Sequence, residues 1–232
     1  IAAVAEGRAH FGIGAADILT AQDRGRPLVI LASIFQQSAV AFYALSSTGL
    51  TSPVDLMRLR VGRKLGDTTD VEMQAMLRAE GLDPGRVTVY PARLGVPDLL
   101  RGEIDVVADY TLSANWTARR LGLNLASLKP SSYGIDFYGD SLFTRRQVIE
   151  EHPDMVERFV EASLNGWRYA MKHPHEMADQ IAWEYQRILP VDDFADFNRF
   201  QARELQHLMH YPYVAIGHTN PERWHEMLEH LF

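Results

Sequence analysis

Short apolar runs alternate with amphipathic segments through the first half of the chain, and helical stripes take over in the second. The alternation predicts strands at His10 to Gly14, Leu28 to Phe35 and Val40 to Ser46, with a helix over Ala15 to Arg24 between the first two. Gly25 follows that helix where a left-handed stop is wanted. Ser52-Pro53-Val54-Asp55 offers an N-cap, a proline at the first helical position and an early acid, and so predicts a short helix. Arg60 to Gly62 reads as a strand end, and Asp70 to Glu80 as a helix closed by Gly81. Val87 to Tyr90 and Ile104 to Ala108 read as strands on either side of a short helix, Val96 to Arg101.

After Phe143 the spacing becomes helical. Met155, Val156, Phe159, Val160, Ser163, Trp167, Ala170 and Met171 form one stripe along Pro153 to Met171, which predicts a core-facing side. Met177, Ala178, Ile181, Ala182 and Tyr185 predict the inward side of the next helix, which opens at Pro174. Asp192-Asp193 suits the start of a third helix, Phe194 to Met209, because acids favour the helix N-terminus. Asn220-Pro221-Glu222 caps a fourth, with Trp224, Met227, Leu228 and Leu231 on its apolar face. Two stretches, Glu6 to Gly12 and Arg101 to Val107, share a pattern of helix end, glycine, polar turn and apolar strand. An acid-bearing loop follows each, around Asp17 and Asp109. The pattern suits any loop between helix and strand, and it equally suits two α/β lobes whose strand ends face a shared cleft.

Composition narrows the picture only a little. The 232 residues include 23 basic and 30 acidic side chains, for a formal charge of −7, which argues against a nucleic-acid surface. No apolar run approaches the roughly 18 residues of a membrane helix. The chain has no cysteine, which excludes disulfides, thiolate metal sites and cysteine nucleophiles.

Motifs that carry chemistry are mostly excluded. Gly12-Ile13-Gly14 stands where a dinucleotide loop would, but the third glycine is missing and Asp17 would repel a pyrophosphate, so close backbone approach accounts better for the pair. His225 and His230 are five apart, which places them on different sides of a helix and forbids joint chelation. His207 and His210 lack a third ligand. No nucleophile elbow and no Ser/His/Asp set is present. The expectation is therefore a non-catalytic protein with no metal and no cofactor.

The segment from Ser131 to Phe143 is different. It interleaves Tyr133, Asp136, Phe137, Tyr138 and Asp140 with Gly134 and Gly139, without helical or strand periodicity. Carboxylates accept from ligand N–H groups and aromatic faces stack on planar heterocycles or cations, so the segment suits a flat nitrogenous molecule. It also suits a strand crossing between lobes, and both readings stand together.

Three motifs, Phe11 to Leu19, Ile34-Phe35-Gln36-Gln37-Ser38 and Tyr133 to Asp140, carry a resemblance to the thiamine-pyrimidine-synthase-like family of periplasmic solute-binding proteins. The resemblance implies the type 2 periplasmic-binding fold, with two α/β lobes, a hinge of two crossing strands near Val40 to Ser46 and Phe137 to Phe143, and the family's usual first elements missing before Ile1. Lobe one would combine 1–43 and 142–232, and lobe two 44–141. By motif, the cleft would be lined by Asp17, Gln36, Gln37, Tyr110, Tyr133, Asp136, Tyr138 and Asp140. Asp17 and Asp136 would accept from an amino-heterocycle, and the three tyrosines would stack. Ser113-Ala114-Asn115 replaces the Asn-Glu-Pro common in the family, so one acidic ligand contact is absent. The cysteine-rich motif of the family's synthases is also absent, which sets that enzyme branch aside. The implied role is an extracytoplasmic or periplasmic domain that closes on a pyrimidine-like small molecule. Its partner would be a membrane-embedded signalling module in the same chain, for which Ile216 to Trp224 resembles the sensor members, or else an ABC permease.

Overall fold

The computed structural model describes residues 1–90, 95–185 and 193–232. Along the chain run α1 (Ala2–Ala5), β1 (Phe11–Gly14), α2 (Asp17–Asp23), β2 (Leu28–Ser33) and β3 (Val40–Leu45). Then come β4 (Val61–Gly62), α3 (Thr68–Ala79), β5 (Val89–Tyr90), α4 (Val96–Leu100), β6 (Val106–Tyr110), α5 (Thr111–Leu121) and β7 (Leu125–Leu128). β8 (Ser141–Arg145), α6 (Arg146–Glu151), α7 (Pro153–Lys172), α8 (Pro174–Tyr185), α9 (Phe194–Leu208) and α10 (Pro221–Leu231) follow. Short 3-10 turns join several of these. The fold is mixed α/β and divides into two compact units.

Unit 1 comprises Ile1–Gln37 and Tyr138–Asn220. Its sheet has the order β1-β8-β2, with β8 antiparallel to both neighbours. Phe143, in the middle strand, lies opposite Gly12 and Ile30 and packs with Val4, Ile18 and Leu28. Both glycines of β1 are needed for that packing. A Cβ on Gly12 would stand 2.7 Å from Phe143 Cζ, and one on Gly14 2.8 Å from Ile1 Cδ1. Overpacking of this kind costs about 1–3 kcal/mol. Gly12→Ala is therefore expected to lower the unfolding free energy by that amount, read from the fall in denaturant midpoint, and adding Phe143→Leu should recover part of the loss, read as a coupling in a double-mutant cycle.

The helices of unit 1 are more exposed than their stripes predict. Of the α7 stripe only Val156 and Met171 are buried, and Phe159 keeps 40% of its surface although its ring stacks on Phe11 at 3.9 Å. In α8, Ala178 and Ala182 are buried, whereas Ile181 and Tyr185 are exposed. α8 packs chiefly against α9 and to a lesser extent against α7, so these helices cover one another's apolar sides only in part. Asp192 lies outside the described residues, and Asp193 flanks the start of α9.

Unit 2 comprises Ser38–Phe137 and Pro221–Phe232. Its sheet has the order β5-β4-β6-β3-β7, with β4 parallel to β5 and β6, and β3 antiparallel to β6 and β7. The Ser52 side chain and the Asp55 carboxylate form the expected capping box. The Thr51 N–H bond holds that carboxyl below the ordinary aspartate range, with Arg58 and Ser52 adding to it. α5 and β7 went unpredicted: α5 buries only Ala114 and Ala118, so it carries no large apolar stripe. α10 packs on α3, where Arg78 Nη1 donates to Leu231 O at 2.9 Å and Trp224, Met227 and Leu231 are buried. The units part at 37/38, 137/138 and 220/221, whereas the expected lobes parted at 43/44 and 141/142 and kept the last helix in lobe one. The chain thus passes between units three times. The first passage lies just before the predicted hinge strand at Val40, and the second falls at the start of the predicted stretch Phe137 to Phe143, ahead of β8 at Ser141.

Candidate ligand-binding site

Parallel pairing in unit 2 brings strand ends together. Gly62 pairs with Val107, so Arg63 and Lys64 leave β4 on the edge where Ala108 and Asp109 follow in β6. Each of these strands then enters a helix: β4 leads to α3 through the N-cap Asp67, and β6 leads directly into α5. Gly95 stands just before α4 with a φ of 73°. Open α/β sheets bind ligands outside the carboxyl ends of their strands. Here those ends enclose a cavity of about 220 Å³ lined by Arg63, Lys64, Asp67, Thr69, Gly95, Ala108, Asp109 and Tyr110.

The cavity wall is built with fixed polar groups. Asp109 Oδ1 accepts from the Tyr110 N–H at 2.7 Å and from the Ser113 hydroxyl at 2.6 Å. Its Oδ2 faces Gly95, where a Cβ would stand 2.6 Å away, so only glycine leaves that oxygen its space. Burial pushes the Asp109 carboxyl above the ordinary aspartate value, against the pull of those two hydrogen bonds. Arg63 is buried and forms an ion pair with Asp70, while its Nε has no hydrogen-bond partner among the described residues. Tyr110 keeps 42% of its surface and contributes an aromatic side chain to the cavity wall. The wall can accept from a ligand N–H, donate from a guanidinium and stack on a ring.

A second cavity, in unit 1, has a volume of about 210 Å³ and a wall of Phe11, Ile13, Ile34, Leu142, Phe159 and Trp167 with Gly12 and Ser163. It holds no charged group. Among the described residues no group of three or more His, Asp or Glu is placed to hold a metal ion, and no helix is long and apolar enough to cross a membrane.

The eight residues expected at the cleft fall on both units. Unit 2 carries Tyr110, Tyr133 and Asp136, of which Tyr110 lines the cavity. Tyr133 is half-buried in the 3-10 turn Pro130–Tyr133. Asp136 pairs with Arg223 at 3.0 Å and leaves 71% of its side chain in solvent. Unit 1 carries Asp17, Gln36, Gln37, Tyr138 and Asp140. Asp17 Oδ1 accepts from the Ala15 N–H at 3.0 Å at the start of α2. Burial raises the Asp140 carboxyl above its ordinary value, and the Asp17 charge adds to the effect. Gln36 is buried and donates to Ser33 O and His218 O, and the Gln37 N–H donates to Leu208 O. Tyr138 is buried, and its hydroxyl accepts from the Asn220 N–H at 3.1 Å.

The family described as NMT1/THI5 like matches residues 1–177. The chain belongs to the NMT1/THI5-like family. It is 23% identical over 225 residues to the formylaminopyrimidine-binding protein of Halalkalibacterium halodurans, a match covering 93% of this chain and 66% of that one. It is 24% identical over 218 residues to the riboflavin-binding protein RibY of Chloroflexus aurantiacus, covering 89% of this chain and 60% of that one. The chain therefore spans under two thirds of the length of either relative. The periplasmic aliphatic sulphonate-binding protein SsuA of Escherichia coli has the same fold, with a TM-score of 0.66 at 17% identity over 99% of this chain and 71% of that one. These named proteins are binding proteins rather than enzymes. The fold is that of periplasmic binding proteins.

In this NMT1/THI5-like chain the cavity wall contains residues that reading by motif did not select: Arg63, Lys64, Asp67, Thr69, Gly95 and Asp109. The signal was present. Each lies at a strand end or helix start, and Asp109 stands in the stretch that resembles Asp17 and its surroundings. The raised Asp109 value has a consequence for pH. A ligand N–H bonds the ionised carboxylate, so affinity for such a ligand is expected to fall on acidification, beginning at a higher pH than an exposed aspartate of pKa about 3.9 would set. Folding stability moves the other way. The folded state holds the Asp109 and Asp140 protons more tightly than the unfolded chain, so ionising these groups lowers stability as pH rises through that window. Titrations by calorimetry across the acid range check the first statement and denaturant midpoints the second.

Proposed function

We propose that this chain is a solute-binding domain that works outside the cytoplasm and takes a small, planar, nitrogenous molecule of pyrimidine type. The observation that carries the reading is the cavity at the ends of β4 and β6, where Asp109, Arg63 and Tyr110 present an acceptor, a donor and an aromatic side chain together. Two relatives named for heterocyclic ligands, a formylaminopyrimidine and riboflavin, support the same ligand class. Asp17 and Asp140 are proposed as further carboxylates for the ligand's N–H groups.

Delivery of the bound solute to an ABC permease is the first role proposed. A second reading, the input domain of a membrane signalling protein, rests on the segment Ile216 to Trp224. The whole reading frame separates them: continuation into a membrane helix and a signalling module supports the sensor.

Ligand binding is tested by thermal shift with three probes, a formylaminopyrimidine, riboflavin and an aliphatic sulphonate. A molecule that binds only the native state raises the midpoint, by about 2.7 kcal/mol of stability at a hundredfold excess over Kd. The expected result is a shift with the pyrimidine. A shift with the sulphonate alone, retained in Asp109→Ala, would overturn the assignment.

A further inference from the structure

Glu72 is a charged residue with no solvent exposure, one helical turn beyond the Thr69 that lines the cavity. Its Oε1 accepts from the Ser38 hydroxyl at 2.6 Å. Ser38 is the first residue of unit 2, and both its hydroxyl and its N–H are hydrogen-bonded. Its Oγ also accepts from the Val40 N–H at 3.1 Å, and its own N–H donates to Phe137 O at 2.9 Å. Phe137 is the last residue before the chain leaves unit 2 again. The next residue, Ala39, accepts from the Thr111 N–H at 2.7 Å, immediately beyond the cavity residue Tyr110.

These bonds form one connected path inside unit 2. It runs from the cavity wall at Thr69, along a single turn of α3, through Glu72 to Ser38, and from Ser38 to Phe137. A buried carboxylate is costly to keep unless it is hydrogen-bonded, and a hydroxyl oxygen 2.6 Å away is a strong charge-assisted donor. Core packing alone would be served by an apolar side chain at this position. We infer that Glu72 is a positioning residue: it ties the helix that walls the solute cavity to two of the three segments where the chain passes between units, at 37/38 and 137/138. It does not touch the cavity itself. Its work is to fix the backbone of the two passages relative to α3, so that whatever moves the first turn of α3 is felt there.

Amide hydrogen exchange on the complete chain, with no solute added, tests this. Glu72→Met removes the acceptor while keeping volume, Ser38→Ala removes the donor, and Glu72→Gln keeps an oxygen that can accept the hydroxyl proton. The expected result is exchange about tenfold faster at the Ser38 and Val40 amides in the first two variants, the size set by one lost hydrogen bond, with α7 and α9 unchanged. Glu72→Gln should stay within about twofold of the parent at the same amides. Unchanged exchange in Glu72→Met and Ser38→Ala would overturn the inference. So would acceleration spread equally over α7 and α9, or equal loss in Glu72→Gln, because either result would mean general destabilisation instead of a local tie. The readout needs no ligand, so its failure is separate from a failure of the pyrimidine assignment.

Discussion

Replacing Asp109 with alanine is expected to weaken binding of a pyrimidine-type solute by about 10- to 150-fold, while the chain stays folded. The estimate follows from removing one hydrogen bond to a charged group, about 1.5–3 kcal/mol. Asp109 is held in place before any ligand arrives by burial, by its close approach to Gly95 and by two local donors. The substitution frees the Tyr110 N–H and the Ser113 hydroxyl, both near solvent at the helix start, so water can replace the lost acceptor. Asp109→Asn keeps the shape and loses the charge, and should fall between parent and alanine. Asp136→Ala provides the contrast. That carboxylate already pairs with Arg223 and stands in solvent, so the expected change in Kd is within about threefold. Isothermal titration of the three variants with the pyrimidine probe reads all of these together.

The largest effect on stability is expected from Phe143→Ala. The ring is fully buried in the middle strand of the unit 1 sheet, between Val4, Ile18 and Leu28, and it occupies the space that Gly12 leaves open. Truncating a buried phenylalanine costs about 3–5 kcal/mol, through lost burial and the cavity that remains. In a chain of this length each kcal/mol moves a thermal midpoint by about 2–4 °C, so the unit 1 transition should drop by roughly 6–20 °C. Well below the lowered midpoint the far-ultraviolet circular dichroism of the parent should survive. Phe143→Leu, which keeps most of the volume, should lose less than half as much.

Local signals in the sequence were reliable where one residue decides the backbone. Gly25 and Gly81 stop their helices with positive φ, and Ser52 with Asp55 caps where expected. The two glycines of β1 are there for close packing, as the missing third glycine had implied. Signals failed where the answer depends on distant chain. Nothing around Trp224 says whether α10 belongs with the residues just before it or with α3, and the helix packs on α3. The α7 stripe states that one side is apolar but not which elements pack against it. The aromatic and acidic segment from Tyr133 to Asp140 was conspicuous by composition, yet Tyr138 is buried and bonded to Asn220, and Asp136 pairs with Arg223. Arg63 was the opposite case. It is an ordinary residue in sequence, and it matters because parallel pairing of β4 with β6 brings it to the same cavity wall as Asp109.

The central claim is that the cavity at the ends of β4 and β6 receives the solute. Hydrogen-exchange footprinting of the complete chain with saturating formylaminopyrimidine tests it most directly. The account predicts slowed exchange at residues 64–70 and 109–112, where the loop before α3 and the start of α5 form the wall. Protection elsewhere with these two stretches unchanged, or no protection anywhere at saturation, would contradict it.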